Sequence, residues 1–395
     1  MFLYIKLDNP LSSIKWKQIE RFIFLNTGLS TVNESESGLM KKGFFILCVL
    51  LISLFSALAS AETPSRLLSN SEDWKDVYSV MLYGNLIGVP SSFLVSDRHA
   101  TLILNQIPTD NHLWVFSSKK LPHVVGYQAL LQSKGYTAEE FINDNINLEI
   151  AKRLTDVDSY IILDDSYGYN AVSVAPYSVL ARSYVLFADN ANIRDISNFL
   201  ETKTVKKIII YGNVDREVKS ELAQYNPEVI NKDGDRFLNN IEIVKKYQAI
   251  KHAKQAVLTN GEFIEQEIMS GAEPVLFIGT NNVPDSIRDY VKDSEIDVGV
   301  LIGNELVGTA TFIRRQLGIS VFVKFAQGAR NPQGAISQVE ALDMFYLPSY
   351  NLNLEVVSLK YNKATNKLEV TLRNTVSQAI YFTGSYSLTA SDATR

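Results

Sequence analysis

The sequence predicts an α/β fold built from three tandem repeats of parallel strands and helices, followed by a partial all-β, sandwich-like C-terminal segment. Three observations carry this prediction. Apolar runs without alternation, at 160–163, 183–188 and 208–211, are followed by polar turns or residues at helical spacing, as expected of strands covered on both faces. Parts of this pattern recur on either side at 90 to 93 residues, the signature of one supersecondary unit used repeatedly. Beyond Leu352 strict alternation takes over, the period of strands with one covered face.

The chain has 395 residues, room for several modules, and 46% hydrophobic with 21% charged residues marks it as folded. The net charge of −5 and the absence of a Lys/Arg-rich block leave no basic surplus for phosphates, so nucleic acid is excluded as the main partner. Met40-Lys41-Lys42, an apolar run over 43–55 and the small-residue end Ala57-Leu58-Ala59-Ser60-Ala61 predict a secretory signal over 40–61, cleaved after Ala61. The alternative is an uncleaved anchor, since about 18 apolar residues just span a bilayer. Residues 1–39 then read as a non-native or over-extended N-terminus. The expectation is export to the cell envelope, the cell surface or beyond, with membrane contact only through the signal before cleavage. Loss of residues 1–61 removes six basic and four acidic residues and moves the balance from −5 to −7. It also removes Cys48, the only cysteine, so the mature chain has neither a thiolate nucleophile nor a cysteine metal site.

The first repeat is expected over 62–156. It has a polar lead up to Asp76, a strand over 77–83 stopping on Gly84-Asn85, further apolar runs at 101–104 and 113–116, and an amphipathic helix over 147–154. That helix returns 93 residues later: Leu148, Ala151 and Leu154 match Ile241, Val244 and Tyr247, one face at three-residue steps. The second repeat, 157–250, runs from its first strand through Asp164-Asp165 and a Tyr-rich loop to a strand ending on Gly212-Asn213, then to the turn Asp233-Gly234-Asp235-Arg236-Phe237 and a closing helix. The third, 251–328, repeats Ile196, Leu200, Gly212 and Asn213 as Ile287, Val291, Gly303 and Asn304, all 91 residues on, but no acidic-Arg-aromatic turn and no closing helix follow its last strand. A Gly/Pro-rich connector is expected over 329–350. Strands at 352–356, 368–372 and 379–388 make 351–395 the start of a β-rich domain, expected to be incomplete because a sandwich needs about 100 residues.

The second repeat resembles the type 2 cell wall-binding repeat of prokaryotic surface proteins. The resemblance rests on the small-residue helix with a proline, Tyr169-Asn170-Ala171-Val172-Ser173-Val174-Ala175-Pro176, on the glycine-ended strand Ile209-Ile210-Tyr211-Gly212, and on Asp235-Arg236-Phe237 before a helix. It extends over residues 77–325 and implies three copies packed in a pseudo-threefold ring that attaches noncovalently to anionic envelope polymer. The implied partner is a cell-envelope polymer or a surface-layer protein. The sequence departs from the family pattern at Asn170, where Asp is common, and at Tyr211-Gly212-Asn213, in place of a two-glycine turn. In the first repeat Glu139-Glu140-Phe141 replaces the acidic-Arg-aromatic turn.

Candidate ligand-binding residues follow from position. Asp164 and Asp165 stand where a parallel strand ends, the edge at which open sheets place ligands, and could hold Mg²⁺ or Ca²⁺ or else satisfy loop amides. Gly212-Asn213, Gly303-Asn304 and Gly84-Asn85 read as tight turns, or as amides of Asn213 and Asn304 facing a polymer. Asp235 and Arg236 could pair with each other across a junction, or Arg236 could offer its planar fork to an anion. Tyr167, Tyr169 and Tyr177 around Asn170 provide an aromatic surface suited to sugar rings. The four histidines are scattered and no Gly-x-Ser-x-Gly elbow is present, so no catalytic constellation and no cofactor is expected. The expected function is a noncatalytic envelope-attachment or surface-layer module. The alternatives are a metal-dependent envelope enzyme using Asp164 and Asp165, or a soluble ligand-binding protein.

Overall fold

The computed structural model describes residues 63–324, 343–348, 354–365 and 367–375. Three four-stranded parallel sheets follow one another along the chain. The first repeat comprises β1 (Arg66–Asn70), α1 (Trp74–Ile87), β2 (Ser91–Phe93), α2 (His99–Leu102), β3 (His112–Ser118), α3 (Tyr127–Ser133), β4 (Thr137–Asn143) and α4 (Ile146–Arg153), with strand order β2-β1-β3-β4. The second comprises β5 (Ser159–Leu163), α5 (Gly168–Leu180), β6 (Ser183–Phe187), α6 (Ile193–Glu201), β7 (Lys207–Tyr211), α7 (Arg216–Leu222), β8 (Glu228–Ile230) and α8 (Arg236–Ile250), ordered β6-β5-β7-β8. The third has β9 (Gln255–Thr259), β10 (Phe263–Glu265), α9 (Gln266–Met269), β11 (Val275–Phe277), α10 (Asp285–Asp293), β12 (Val298–Ile302), α11 (Ala310–Leu317) and β13 (Ser320–Lys324), ordered β11-β9-β12-β13. The same order three times is the repeat expressed as topology. Ile161, Ile162, Leu186, Ile209 and Ile210 are at most 1% exposed, which is why their strands read as unbroken apolar runs.

The first repeat differs from the sequence reading. Its opening strand, β1, lies inside the expected polar lead, and residues 77–83 belong to α1. All seven of those residues are buried, so this helix has no polar face to betray its period. Asp73 starts it by accepting from the Lys75 amide at 2.9 Å. Gly84-Asn85 therefore lies in the last turn of this helix rather than at a strand end. Gly84 is required for contact, because a Cβ there would lie 2.7 Å from the Val89 carbonyl. Residues 101–104 are helical, shared between α2 and a 3₁₀ turn. Glu139, Glu140 and Phe141 lie within β4, not in a turn, and the Phe141 ring packs under Arg153, 4.1 Å from the guanidinium carbon.

One further difference concerns the end of the chain. Within the expected connector, β14 (Met344–Tyr346) pairs antiparallel with β10 and so joins the third repeat. The β-rich segment contains an antiparallel hairpin of β15 (Leu354–Asn362) and β16 (Lys367–Asn374), in agreement with the alternation expected at 352–356 and 368–372. The signal segment, residues 1–39, the continuation of the third repeat past Lys324 and the expected strand at 379–388 lie outside the described residues.

The repeats are joined by a device used twice. Asn147 on α4 donates to the Val185 carbonyl at 2.9 Å and accepts from the Phe187 amide at 3.4 Å, both on edge strand β6 of the next repeat. Asn240 on α8 does the same to edge strand β11, at 2.9 Å to the Val275 carbonyl and 2.9 Å from the Phe277 amide. Each Asn also donates back to a serine on the first helix of its own repeat, Ser79 at 2.9 Å and Ser173 at 2.8 Å. A carboxamide has one donor and one acceptor side and thus satisfies a sheet edge that would otherwise be buried unpaired. The first helices of the three repeats, α1, α5 and α9, contact one another pairwise.

Candidate functional site

The C-terminal ends of β5 and β7 and the start of α8 bring most of the singled-out residues together. Asp164 closes β5, is 3% exposed, and accepts from the Ser166 amide at 2.8 Å. Burial holds its carboxyl above the ordinary range, with Ser166 opposing that shift. Asp165 turns the other way and meets Lys75 Nζ of α1 at 2.8 Å. The two adjacent carboxylates are thus committed to different partners. Among the described residues no three His, Cys, Asp or Glu side chains converge on a metal-sized site.

Tyr167, at the end of the loop, and Tyr169, in the first turn of α5, form a ring pair with centroids 5.4 Å apart and planes inclined by 32°. Arg236 lies by the Tyr169 ring, its guanidinium carbon 5.5 Å from that centroid and 4.7 Å from that of Phe237. Burial, aided by Tyr167, pushes the Tyr169 hydroxyl up to about 12, so it is a neutral donor at physiological pH. Asp235 caps α8, accepting from the amides of Phe237 at 2.8 Å and Leu238 at 3.1 Å. It does not form the considered ion pair with Arg236, which has no carboxylate partner among the described residues.

Asn170 is buried against Gly212, which has φ +76°; a Cβ there would sit 2.9 Å from the Asn170 amide nitrogen. Asn213 accepts from Asn231 Nδ2 at 2.7 Å. Tyr167, Tyr169, Asn170, Gly212, Asn213, Gly234, Arg236 and Asn239 line one small depression. Tyr167, Tyr169 and Arg236 also form one wall of a larger recess of about 430 Å³, whose opposite wall is Asn260, Gly261, Glu262, Tyr346, Leu347 and Pro348 of the third repeat.

Asn304 follows β12 in the third repeat and reaches the Tyr346 phenol at the far side of this recess. Tyr177 is absent from the surface: it is 6% exposed and bonds Lys207 at the start of β7. The sequence reading missed the recess wall at 346–348, because its stretch carries no local signal and is placed by pairing with residues about 80 positions earlier. It also missed Asn239, whose Oδ1 accepts from the Lys232 amide at 2.6 Å and holds the turn that presents Arg236.

The surface is not copied in the first repeat. Ser79 and Ser173 fix the register at 94 residues, so Asp73, Lys75 and Asp76 occupy the places of Tyr167, Tyr169 and Asn170. Two planar rings, a guanidinium and amides, as the second repeat presents them, suit a ligand with ring faces, hydroxyls and negative charge.

No protein-family model matches this chain, and no curated protein matches it in sequence. Among solved structures it is similar to Cwp6 from Clostridium difficile, with TM-score 0.47 and 10% identity over 67% of this chain and 42% of that one. It is also similar to Cwp8 from the same organism, with TM-score 0.52 and 16% identity over 65% of this chain and 48% of that one. The chain thus spans about half the length of Cwp8, and what the two share is the fold.

Proposed function

We propose that this chain is a noncatalytic cell-envelope module that attaches to an anionic envelope polymer, or to a surface-layer protein carrying one, through the strand-end surface of its second repeat. The observation that carries the reading is the convergence of Tyr167, Tyr169 and Arg236 between two recesses. Likeness in fold to a cell wall protein, Cwp8, supports the envelope setting. The rings offer stacking faces to sugars, Arg236 a fork to phosphate or carboxylate, and the amide of Asn213 a hydrogen bond to a hydroxyl. The competing reading, a metal held by Asp164 and Asp165, is not favoured by the geometry, since Asp165 already neutralises Lys75.

Cosedimentation of the mature chain with purified envelopes tests the proposal. The chain is expected to bind at moderate salt, with retention lost in Arg236→Gln and Tyr169→Ala. Wild-type chain that stays in the supernatant across all envelope preparations refutes attachment; undiminished binding by both variants refutes this surface.

A further inference from the structure

A carboxyl is set into the joint between the first two repeats where the sister position carries an amide. Asp76 lies on α1, is 8% exposed, and corresponds to Asn170 of α5. Its Oδ2 accepts from Ser71 Oγ at 2.8 Å, and Ser118 at the end of β3 also bonds it. The charged and titratable groups around it come from each element packed there. Asp73 and Lys75 belong to the start of its own helix, and the Tyr184 hydroxyl approaches from β6 of the second repeat. The loop after β5 contributes Asp165, which holds Lys75 Nζ at 2.8 Å, while Asp73 lies 3.7 Å from the same nitrogen.

We propose that Asp76 is a proton-operated latch between the first and second repeats: when it is protonated, Lys75 bridges to Asp165 and closes the joint, and when it is ionised, a further carboxylate draws on Lys75 and loosens the loop after β5. The proposal concerns the joint and stands whether or not the strand-end surface binds polymer. Burial foremost, then Asp73, push this carboxyl up to about 7, against the pull of Ser71 and Lys75. The folded chain therefore holds the proton more tightly than the unfolded chain, whose carboxyl titrates near the ordinary 3.8. The stability so gained is complete below the ordinary carboxylate range and is lost as pH rises from there to about 7. The second repeat folds with an amide at the matching position, so Asp76→Asn is compatible with this architecture.

The test compares thermal midpoints of the full chain and of Asp76→Asn at pH 5 and pH 8. The wild-type midpoint is expected to fall by about 5–10 °C more than that of the variant, the difference isolating Asp76 from other titrating groups. Hydrogen exchange, corrected for its intrinsic pH dependence, provides a readout on the unmodified chain. Amides 164–167 should be less protected at pH 8 than at pH 5, and Lys75→Gln should be poorly protected at both. Parallel midpoint curves for wild type and Asp76→Asn, or equal protection of those amides at both pH values in the wild type, overturn the latch.

Discussion

Replacing Asn240 by alanine tests the joints most directly. Its side chain is fully buried and makes three hydrogen bonds of 2.8–2.9 Å, to Ser173 Oγ, the Val275 carbonyl and the Phe277 amide. Ser173 retains the Tyr211 hydroxyl at 2.6 Å, so the truncation strands two backbone groups on edge strand β11. A buried group left without a partner costs about 1–3 kcal/mol, which gives about 2–6 kcal/mol for Asn240→Ala. At about 2–4 °C per kcal/mol for a module of this size, the thermal midpoint should drop by about 5–20 °C. Asn240→Asp should be at least as damaging, since it turns an acceptor toward the Val275 carbonyl and buries a charge. Asn147→Ala removes the corresponding contacts at the first joint, where the amide of Phe187 is held more loosely at 3.4 Å, so a smaller loss is expected. Circular dichroism melts of the two single variants and the double variant read all of this, and losses at separate joints should add. A loss below about 1 kcal/mol for Asn240→Ala would show that water satisfies the edge and that the carboxamide is not what holds the repeats.

Further expectations follow from individual contacts. Gly212→Ala places a Cβ against Asn170 at a φ of +76° and should cost about 1–3 kcal/mol, with chemical denaturation as the measure; a neutral result means the turn has room to relax. Lys324 lies 2.5 Å from Glu265, which is 1% exposed, so Lys324→Met leaves a buried carboxylate uncompensated and should destabilise by about 3 kcal/mol. Burial already holds Glu265 above the ordinary range, so the loss should grow from pH 5 to pH 8 as the unfolded carboxyl gives up its proton and the folded one resists; a loss that is flat in pH contradicts it. Tyr169→Phe removes only the phenol and should keep envelope binding if ring stacking supplies the contact, whereas Tyr169→Ala should abolish it, as cosedimentation will show.

The second repeat was legible in the sequence for a specific reason. Strands β5, β6 and β7 are covered on both faces and read as bare apolar runs, and the turns at Gly212 and at Asp235 fall where the chain needs a left-handed residue and a helix cap. The first repeat was misread because α1 is buried on every side and β1 has only Leu67 and Leu68 to mark it. Of the candidate residues, Tyr167, Tyr169, Asn170, Asn213 and Arg236 meet at one place, whereas Asp164, Asp165 and Asp235 serve the loop, the neighbouring repeat and a helix end. The repeated Asn147 and Asn240 were visible at the head of the matching helices, yet nothing local distinguishes a carboxamide that staples a sheet edge from one facing water.

By itself the sequence determined that a strand-helix unit recurs, because apolar period and turn chemistry are properties of neighbouring residues. Only the tertiary structure decided how the copies join and which of the candidate residues come together. Those outcomes depend on contacts between residues far apart in the chain, such as Asn240 with Val275, Lys75 with Asp165, and Tyr346 with Phe263, because a side chain meets its partner only once the chain has folded and no local pattern records the pairing.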